Sequence, residues 1–412
     1  MPADNIYRTS NSTILLGAIA FLSISQALVG QFVGHGVPLF LRSAGQPGHI
    51  VGLVYIASIP YILKIVWAPF IDRYSLPSFG HYRTWILFGQ FSAGGLLLLL
   101  SLFDPAEYPY HLIATVVLLT TVMATQDAST SGLMVRGLAA KDRARGTALR
   151  AAGSALSGII VGAFIIYLLA DMGWQTVVLL MSLLVSVSFL LMWLFSLDKG
   201  WKVPEERPSL TVQFKSLKNP RVRHLLLVKV LVGTGLALTY GLKSIVLIDV
   251  GFEVGEAALI SLVYGSIAGL FAAILIRPVV DALGGFFVLS IIAFLTAAYC
   301  FGFGLLFRDG LTETEALVYV LIANALTFAA FPASRSILLS YCKPSRAATD
   351  FSAFISIEGV FLLLMAGIGA VLSDVISFSV LLWVGAFGSF LGGFVALSEK
   401  ISQPKMGVDL SP

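Results

Sequence analysis

The sequence predicts an all-α membrane protein of about twelve transmembrane helices, arranged as two pseudo-symmetric halves of six helices each. Of its 412 residues, 58% are hydrophobic and only 12% are charged, whereas a soluble domain carries about 25% charged residues. The mean hydropathy is +0.92, and a soluble core of this size could not bury so much apolar surface. Most of these side chains must therefore contact membrane lipid.

Apolar runs recur along the chain, and a helix needs about 20 apolar residues to cross the hydrocarbon. We place such runs at 13–41, 49–71, 84–103, 112–135, 146–170, 174–197, 222–248, 255–276, 284–307, 315–341, 351–373 and 375–397. The sixth run follows the fifth after a connection of only three residues. A connection that short can still join antiparallel helices.

The distribution of basic residues predicts the orientation. With a cytoplasmic N-terminus, Lys and Arg concentrate in the cytoplasmic connections, and the opposite connections contain only Arg42 and Arg308. Positive residues accumulate on the cytoplasmic side of membrane proteins. We therefore expect a multi-pass protein of the bacterial inner membrane with both termini in the cytoplasm. Because the net charge of +4 follows this pattern, we expect no nucleic-acid partner.

The longest connection, residues 198–220, divides the chain near its midpoint and is rich in Lys, Glu and Pro. This composition is typical of a solvated linker. We interpret it as a cytoplasmic linker between an N-terminal half, 1–197, and a C-terminal half, 221–412.

The two halves repeat short motifs at nearly constant spacing. Pro69–Asp72 at the end of the second run recurs as Pro278–Asp281, 209 residues later. Ala128–Ser129 in the fourth run recurs as Ala333–Ser334, 205 residues later. Two matches at similar offsets favour a duplicated architecture.

Small residues at four-residue spacing mark two of the runs. They are Ser154, Gly158 and Gly162 in the fifth run and Ser261, Gly265, Gly269 and Ala273 in the eighth. Such stripes allow helix backbones to approach closely in lipid. We interpret them as equivalent contacts between the halves, with two unrelated packing faces as the alternative.

Ionisable groups inside apolar runs cost about 2.5–3.5 kcal/mol each at the bilayer centre, so each needs a reason. Asp127 is interpreted either as a proton-binding or cavity-shaping carboxylate or as a buried acid paired with a neighbouring Arg or a helix end. Glu358 and His35 are the other proton-coupling candidates. Glu358 could also reach interfacial water, and His35 could simply be solvated.

Cations and amides in the runs are candidates for a substrate path. Lys229 and Lys243 lie fourteen residues apart, about four helical turns, so they share one face and could line a central path. Alternatively, Lys229, Lys243 and Lys64 extend toward the interfaces. The remaining candidates are the amides Gln26, Gln31, Gln126 and Asn324, although hydrogen bonds between helices would produce the same pattern.

Two motifs give the chain a family resemblance. Lys64–Tyr74, KIVWAPFIDRY, resembles the lysine–tryptophan–proline–aspartate signature of one branch of the major facilitator superfamily. Ala124–Asp127, ATQD, resembles the fourth-helix signature of the same branch, and an arginine-rich loop follows it. This branch contains the muropeptide and acetyl-CoA permeases and the bacterial siderophore permeases.

The resemblance implies a secondary active transporter that works by alternating access and needs no cofactor and no bound metal. Muropeptide permeases of the branch tend to be longer than 412 residues, so the chain is more similar to the pyochelin and rhizobactin importers. The main expectation is a monomeric, proton-coupled importer of a ferric siderophore. The alternative is a muropeptide or other sugar–peptide permease. A membrane-embedded enzyme or a non-transporting receptor has less support, because no catalytic motif lies near a helix end.

The resemblance also implies an intracellular gate, in which an Asp caps the positive end of a helix in the other half. By position, Asp72, Arg73, Arg277 and Asp281 would form it. The loop after Asp281, Ala282–Gly285, lacks the basic residues usual in the family. Structural charge at a helix end is the alternative.

Overall fold

The structure is a computed structural model. It describes residues 12–67, 70–71, 74, 76, 79–138, 146, 149–150, 153–154, 156–167, 170–194, 220–341 and 347–402. Over these ranges the chain is helical and contains no strand beyond one isolated bridge between Leu76 and Gly80. The predicted all-α membrane fold is confirmed.

Within the described residues, each of the twelve apolar runs contains a helix, and we number the helices in chain order. They are α1 Thr13–Ser43, α2 Gly48–Ala57, α3 His81–Leu100, α4 Pro109–Gly137, α5 Leu156–Tyr167, α6 Trp174–Leu194, α7 Pro220–Val250, α8 Val254–Leu283, α9 Gly285–Leu306, α10 Glu313–Ser340, α11 Ala347–Leu372 and α12 Phe378–Ser402. Within the described ranges, ten are long and apolar enough to cross a membrane, and α2 and α5 are shorter apolar helices.

The second run differs from its prediction because proline interrupts it. α2 ends at Ala57, and a separate turn, Ile59–Leu63, begins with Pro60 in its first positions. Proline has no backbone N–H and disfavours helical geometry in the residue before it. A 3₁₀ turn, Lys64–Val66, follows, so Lys64 lies beyond the proline break and not in α2.

In the described ranges, three helices contain wider, π-helical turns, which were not predicted from the sequence. They are Phe32–Gly36 in α1, Ile160–Tyr167 in α5 and Leu259–Tyr264 in α8. Such turns are rare and occur frequently at functional sites. The turn in α1 contains His35.

The chain forms two compact units, one of residues 1–212 with 251–263 and the other of 213–250 with 264–412. In the first unit, Leu15 and Ile19 of α1 pack with Tyr82 and Ile86 of α3 and Leu133 of α4. The division into halves at 197 and 221 stays a prediction.

The glycine stripes make two different contacts. In the first unit, a Cβ on Gly162 of α5 would lie 2.7 Å from the Cβ of Leu262 in the first part of α8. In the second unit, a Cβ on Gly269 would lie 2.7 Å from the ring of Phe328 on α10. The fifth-run stripe therefore does meet the eighth run, whereas Gly269 serves packing inside its own unit.

The second unit is held by close helix packing around α7. A Cβ on Gly241 would overlap the carbonyl oxygen of Ala366 on α11, and one on Gly392 of α12 would lie 2.5 Å from the backbone nitrogen of Val232. Helices in lipid associate through such backbone approach, because hydrophobicity alone does not drive them together. α7 is thus fixed on two sides.

Candidate functional sites

A buried ion cluster centred on Asp127 lies inside the first unit. Lys64 donates to one carboxylate oxygen, Oδ2, and Arg150 donates through Nη2 to the other, Oδ1. The Asp127 side chain is 4% exposed, whereas those of Lys64 and Arg150 are 29% and 24% exposed. One carboxylate is therefore held by two cations from different parts of the chain.

Hydroxyl groups on α4 support this cluster. Arg150 also donates to Ser131 Oγ at 2.7 Å, and Ser131 Oγ donates back to the Asp127 carbonyl at 2.9 Å. Asp127 and Ser131 are four residues apart, so they lie on the same face of α4. The second cation thus binds two successive turns of one helix.

The two motifs that carry the family resemblance contact each other here. Besides the pair of Lys64 and Asp127, Trp67 Nε1 donates to Thr125 Oγ1 at 3.1 Å. Both Lys64 and Trp67 come from the first motif, and both acceptors come from the second. Two side-chain contacts therefore link the two motifs and join the second run to α4.

Asp127 has the pairing with Arg that we gave as one of its two interpretations, while a proton-binding role stays a prediction. Lys64 is turned to Asp127 instead of extending only to the interface. Arg150 was not among the site residues predicted from the sequence, although it is an Arg inside the fifth apolar run.

A second buried pair lies in the second unit. Lys229 of α7 forms a salt bridge with Glu358 of α11, with 2.7 Å between Nζ and Oε1, and also donates to Ser334 Oγ on α10. The side chain of Lys229 is 5% exposed and that of Glu358 is 31% exposed. This pair joins three helices, and its carboxylate is the more accessible partner.

Lys243, four turns further along α7, has a different environment. It is 3% exposed, and its Nζ lies 4.5 Å from the centre of the Tyr240 ring. In the described part of the chain, no carboxylate lies within ion-pair distance of it. Lys229 and Lys243 are both buried, as a shared face predicts, but only Lys229 is neutralised by an acid.

The polar candidates of α1 and α4 occupy helix contacts. Gln26 is buried, and Gln31 is half-buried, near Gly158 of α5. Gln126 is wholly buried, and a Cβ on Gly89 of α3 would lie 2.9 Å from its Cβ. The amide nitrogen and oxygen of Gln126 have no hydrogen-bond partner among the described residues, so the contact with α3 does not support the hydrogen-bonding alternative for Gln126.

The remaining candidates lie apart from both clusters. His35 is half-buried in the wide turn of α1, and Asn324 donates to the Val320 carbonyl of its own helix at 2.8 Å. Arg277 and Asp281 are exposed near the end of α8. The gate candidates Asp72 and Arg73 lie outside the described residues. Among the described residues, no group of His, Cys, Asp and Glu could hold a metal ion.

Within the described residues, ten helices of membrane-spanning length, two shorter apolar helices and buried ion pairs define the class of this protein as a multi-pass membrane protein. Residues 11–360 match the Major Facilitator Superfamily. The chain belongs to this superfamily.

The anhydromuropeptide permease of Escherichia coli K12 is 25% identical to the chain over 323 residues, which cover 75% of this chain and 64% of the permease. The chain therefore spans slightly less than two thirds of that relative's length.

Two solved structures share the fold. A POT family transporter in complex with 5-aminolevulinic acid superposes with a TM-score of 0.73 at 11% identity, covering 94% of this chain and 96% of that one. The nucleoside transporter NupG superposes with a TM-score of 0.69 at 14% identity, covering 94% and 100%. At such identities the likeness concerns the fold alone.

Proposed function

We propose that this protein transports an anhydromuropeptide, or a closely related sugar–peptide, across the bacterial inner membrane into the cytoplasm. The observation that carries the proposal is the match to the Escherichia coli permease over 323 residues. The contact between the two branch motifs at Asp127 supports it, because the motifs are paired in space as well as present in sequence.

Muropeptide transport was the alternative expectation from the sequence, whereas import of a ferric siderophore was the main one. Import of a ferric siderophore was inferred mainly from chain length, and the comparison with relatives gives it no support. The relatives favour muropeptide transport. A monomeric state and cytoplasmic termini remain part of the proposal.

We also propose that import is coupled to protons and that Glu358 is the coupling carboxylate. A coupling acid has to be reached by a proton in at least one state of the transport cycle. Both oxygens of Asp127 are bound by cations and its side chain is 4% exposed. Glu358 is 31% exposed and binds Lys229 through Oε1. Because a proton can reach its side chain more easily, Glu358 is the better candidate for the coupling acid. Asp127 instead stabilises the packing of the first unit.

In this scheme, a proton that binds the Glu358 carboxylate removes the charge that Lys229 pairs with. The salt bridge between α7 and α11 then weakens, and the two helices become free to change their packing. Coupling of this kind requires only that the proton binds one conformation better than the other. His35 is retained as the next coupling candidate.

Uptake of two labelled compounds by cells tests the proposed substrate. The chain is expressed in a strain that lacks its own muropeptide permease and siderophore permeases. We expect labelled anhydromuropeptide to accumulate well above the level in cells with empty vector, and ferric pyochelin to remain at that level. Accumulation of ferric pyochelin alone would restore the siderophore hypothesis and refute the proposed one.

A further inference from the structure

Lys243 is a buried cation that the proposed transport scheme does not use. It lies inside α7, is 3% exposed and has the face of Tyr240 beside its ammonium group. Lys229, on the same helix, is paired with Glu358. Among the acids that the structure describes, none pairs with Lys243.

Such a group is costly for the folded protein. A buried ammonium loses its hydration, and this loss is normally offset by an acid that is hydrogen-bonded to it. Contact with one aromatic ring returns only part of that loss. A charge inside a membrane helix without an acid partner is therefore a functional candidate by default.

In the second unit, Lys229 is balanced by Glu358, whereas Lys243 has no acid partner among the described residues. A buried cation of this kind attracts negative charge and repels positive charge.

We infer that Lys243 binds a carboxylate of the transported molecule, so that the substrate is an anion. This inference rests on the proposed function for the identity of the cargo, but the anion site itself does not depend on it. The peptide part of a sugar–peptide can supply the carboxylate. Tyr240 holds the ammonium group in place through its ring, and the arriving carboxylate replaces the hydration that Lys243 loses on burial.

Binding of a charged and a neutralised form of one compound tests this inference. The purified protein is titrated with labelled anhydromuropeptide carrying free carboxylates and with the same compound after conversion of its carboxylates to amides. We expect amidation to weaken binding to the wild type about tenfold or more, because a charged hydrogen bond is lost. Lys243→Gln should bind both forms equally, and Lys243→Arg should retain the preference for the acid, since the charge persists.

Thermal unfolding of the same variants without muropeptide separates a binding role from a structural one. Removal of a buried cation that has no acid partner should leave the melting temperature of Lys243→Gln equal to or above that of the wild type. A clearly lower melting temperature would mean that the structure itself needs this charge, and would overturn the inference. Retained preference for the acid form in Lys243→Gln would overturn it as well.

A small dicarboxylate distinguishes failure of the site from failure of the proposed function. At equal ionic strength, succinate should raise the melting temperature of the wild type more than succinamide does, and this difference should vanish in Lys243→Gln. If that result holds but anhydromuropeptide does not bind, the anion site stands and the proposed cargo is wrong. Equal effects of succinate and succinamide on the wild type would refute the anion site, whatever the cargo.

Discussion

Replacement of Asp127 with Asn should destabilise the protein by about 3 kcal/mol and abolish transport in every mode. The amide has nearly the shape of the carboxylate, but it removes the negative charge that both Lys64 and Arg150 bind. Loss of one partner from a buried ion pair typically costs about 3–5 kcal/mol, and we expect the lower end because both cations are partly exposed. Thermal unfolding of the purified variant measures the loss of stability.

Two comparisons identify the cause of this effect. The double variant Lys64→Gln with Asp127→Asn removes one of the two cations that repel each other, so it should recover part of the stability that Asp127→Asn loses.

Glu358→Gln should keep exchange of substrate across the membrane but lose accumulation driven by a pH gradient. If Asp127→Asn is as stable as the wild type, the cluster does not hold the first unit together. If Asp127→Asn, and not Glu358→Gln, keeps exchange and loses pH-driven accumulation, Asp127 is the coupling acid.

Replacement of Gly241 with Ala should have an equally large effect by a steric route. The new Cβ would overlap the carbonyl oxygen of Ala366, and a backbone atom cannot rotate away as the end of a side chain can. Overpacking typically costs about 1–3 kcal/mol and sometimes more, and here α7 would have to separate from α11. We expect loss of folded protein, measured by size-exclusion chromatography and thermal unfolding.

Gly233→Ala is the matched control on the same helix. A Cβ at Gly233 would meet no atom within 4 Å, and alanine favours a helix by about 1 kcal/mol relative to glycine. This variant should be as stable as the wild type or slightly more stable. Equal behaviour of the two alanine variants would contradict the close packing of α7 against α11.

The sequence was sufficient for the helices but not for their partners. The apolar runs located the twelve helices of the described residues, because length and hydropathy decide whether a segment can cross a membrane. The early end of α2 was also encoded, in Pro60, although the run of apolar residues around it concealed the break. The wide turns of α1, α5 and α8 could not be predicted from the sequence. An extra residue in a turn shifts the hydrophobic periodicity, and no periodicity can be detected where nearly every residue is apolar.

The sequence predicted individual residues of the site but not which of them contact one another. Their positions inside apolar runs made Asp127, Lys229 and Lys243 candidates for burial, with extension of the two lysines toward the interfaces as the alternative. Which cation faces which acid did not follow, since Lys64 and Asp127 are 63 residues apart and their contact depends on the packing of separate helices. Arg150 was missed for a related reason. A cation near the end of a run has the same appearance in sequence whether it points to the interface or to a buried acid.

Substrate exchange by the purified protein tests the proposed function most directly. Liposomes containing the protein are loaded with unlabelled anhydromuropeptide and diluted into a trace of the labelled compound, with protein-free liposomes and Gly233→Ala as controls. We predict that label enters until it exceeds its outside concentration, in the wild type and in Gly233→Ala but not in protein-free liposomes. Folded, monodisperse protein that exchanges no anhydromuropeptide, while it exchanges ferric pyochelin under the same conditions, would contradict the proposed function.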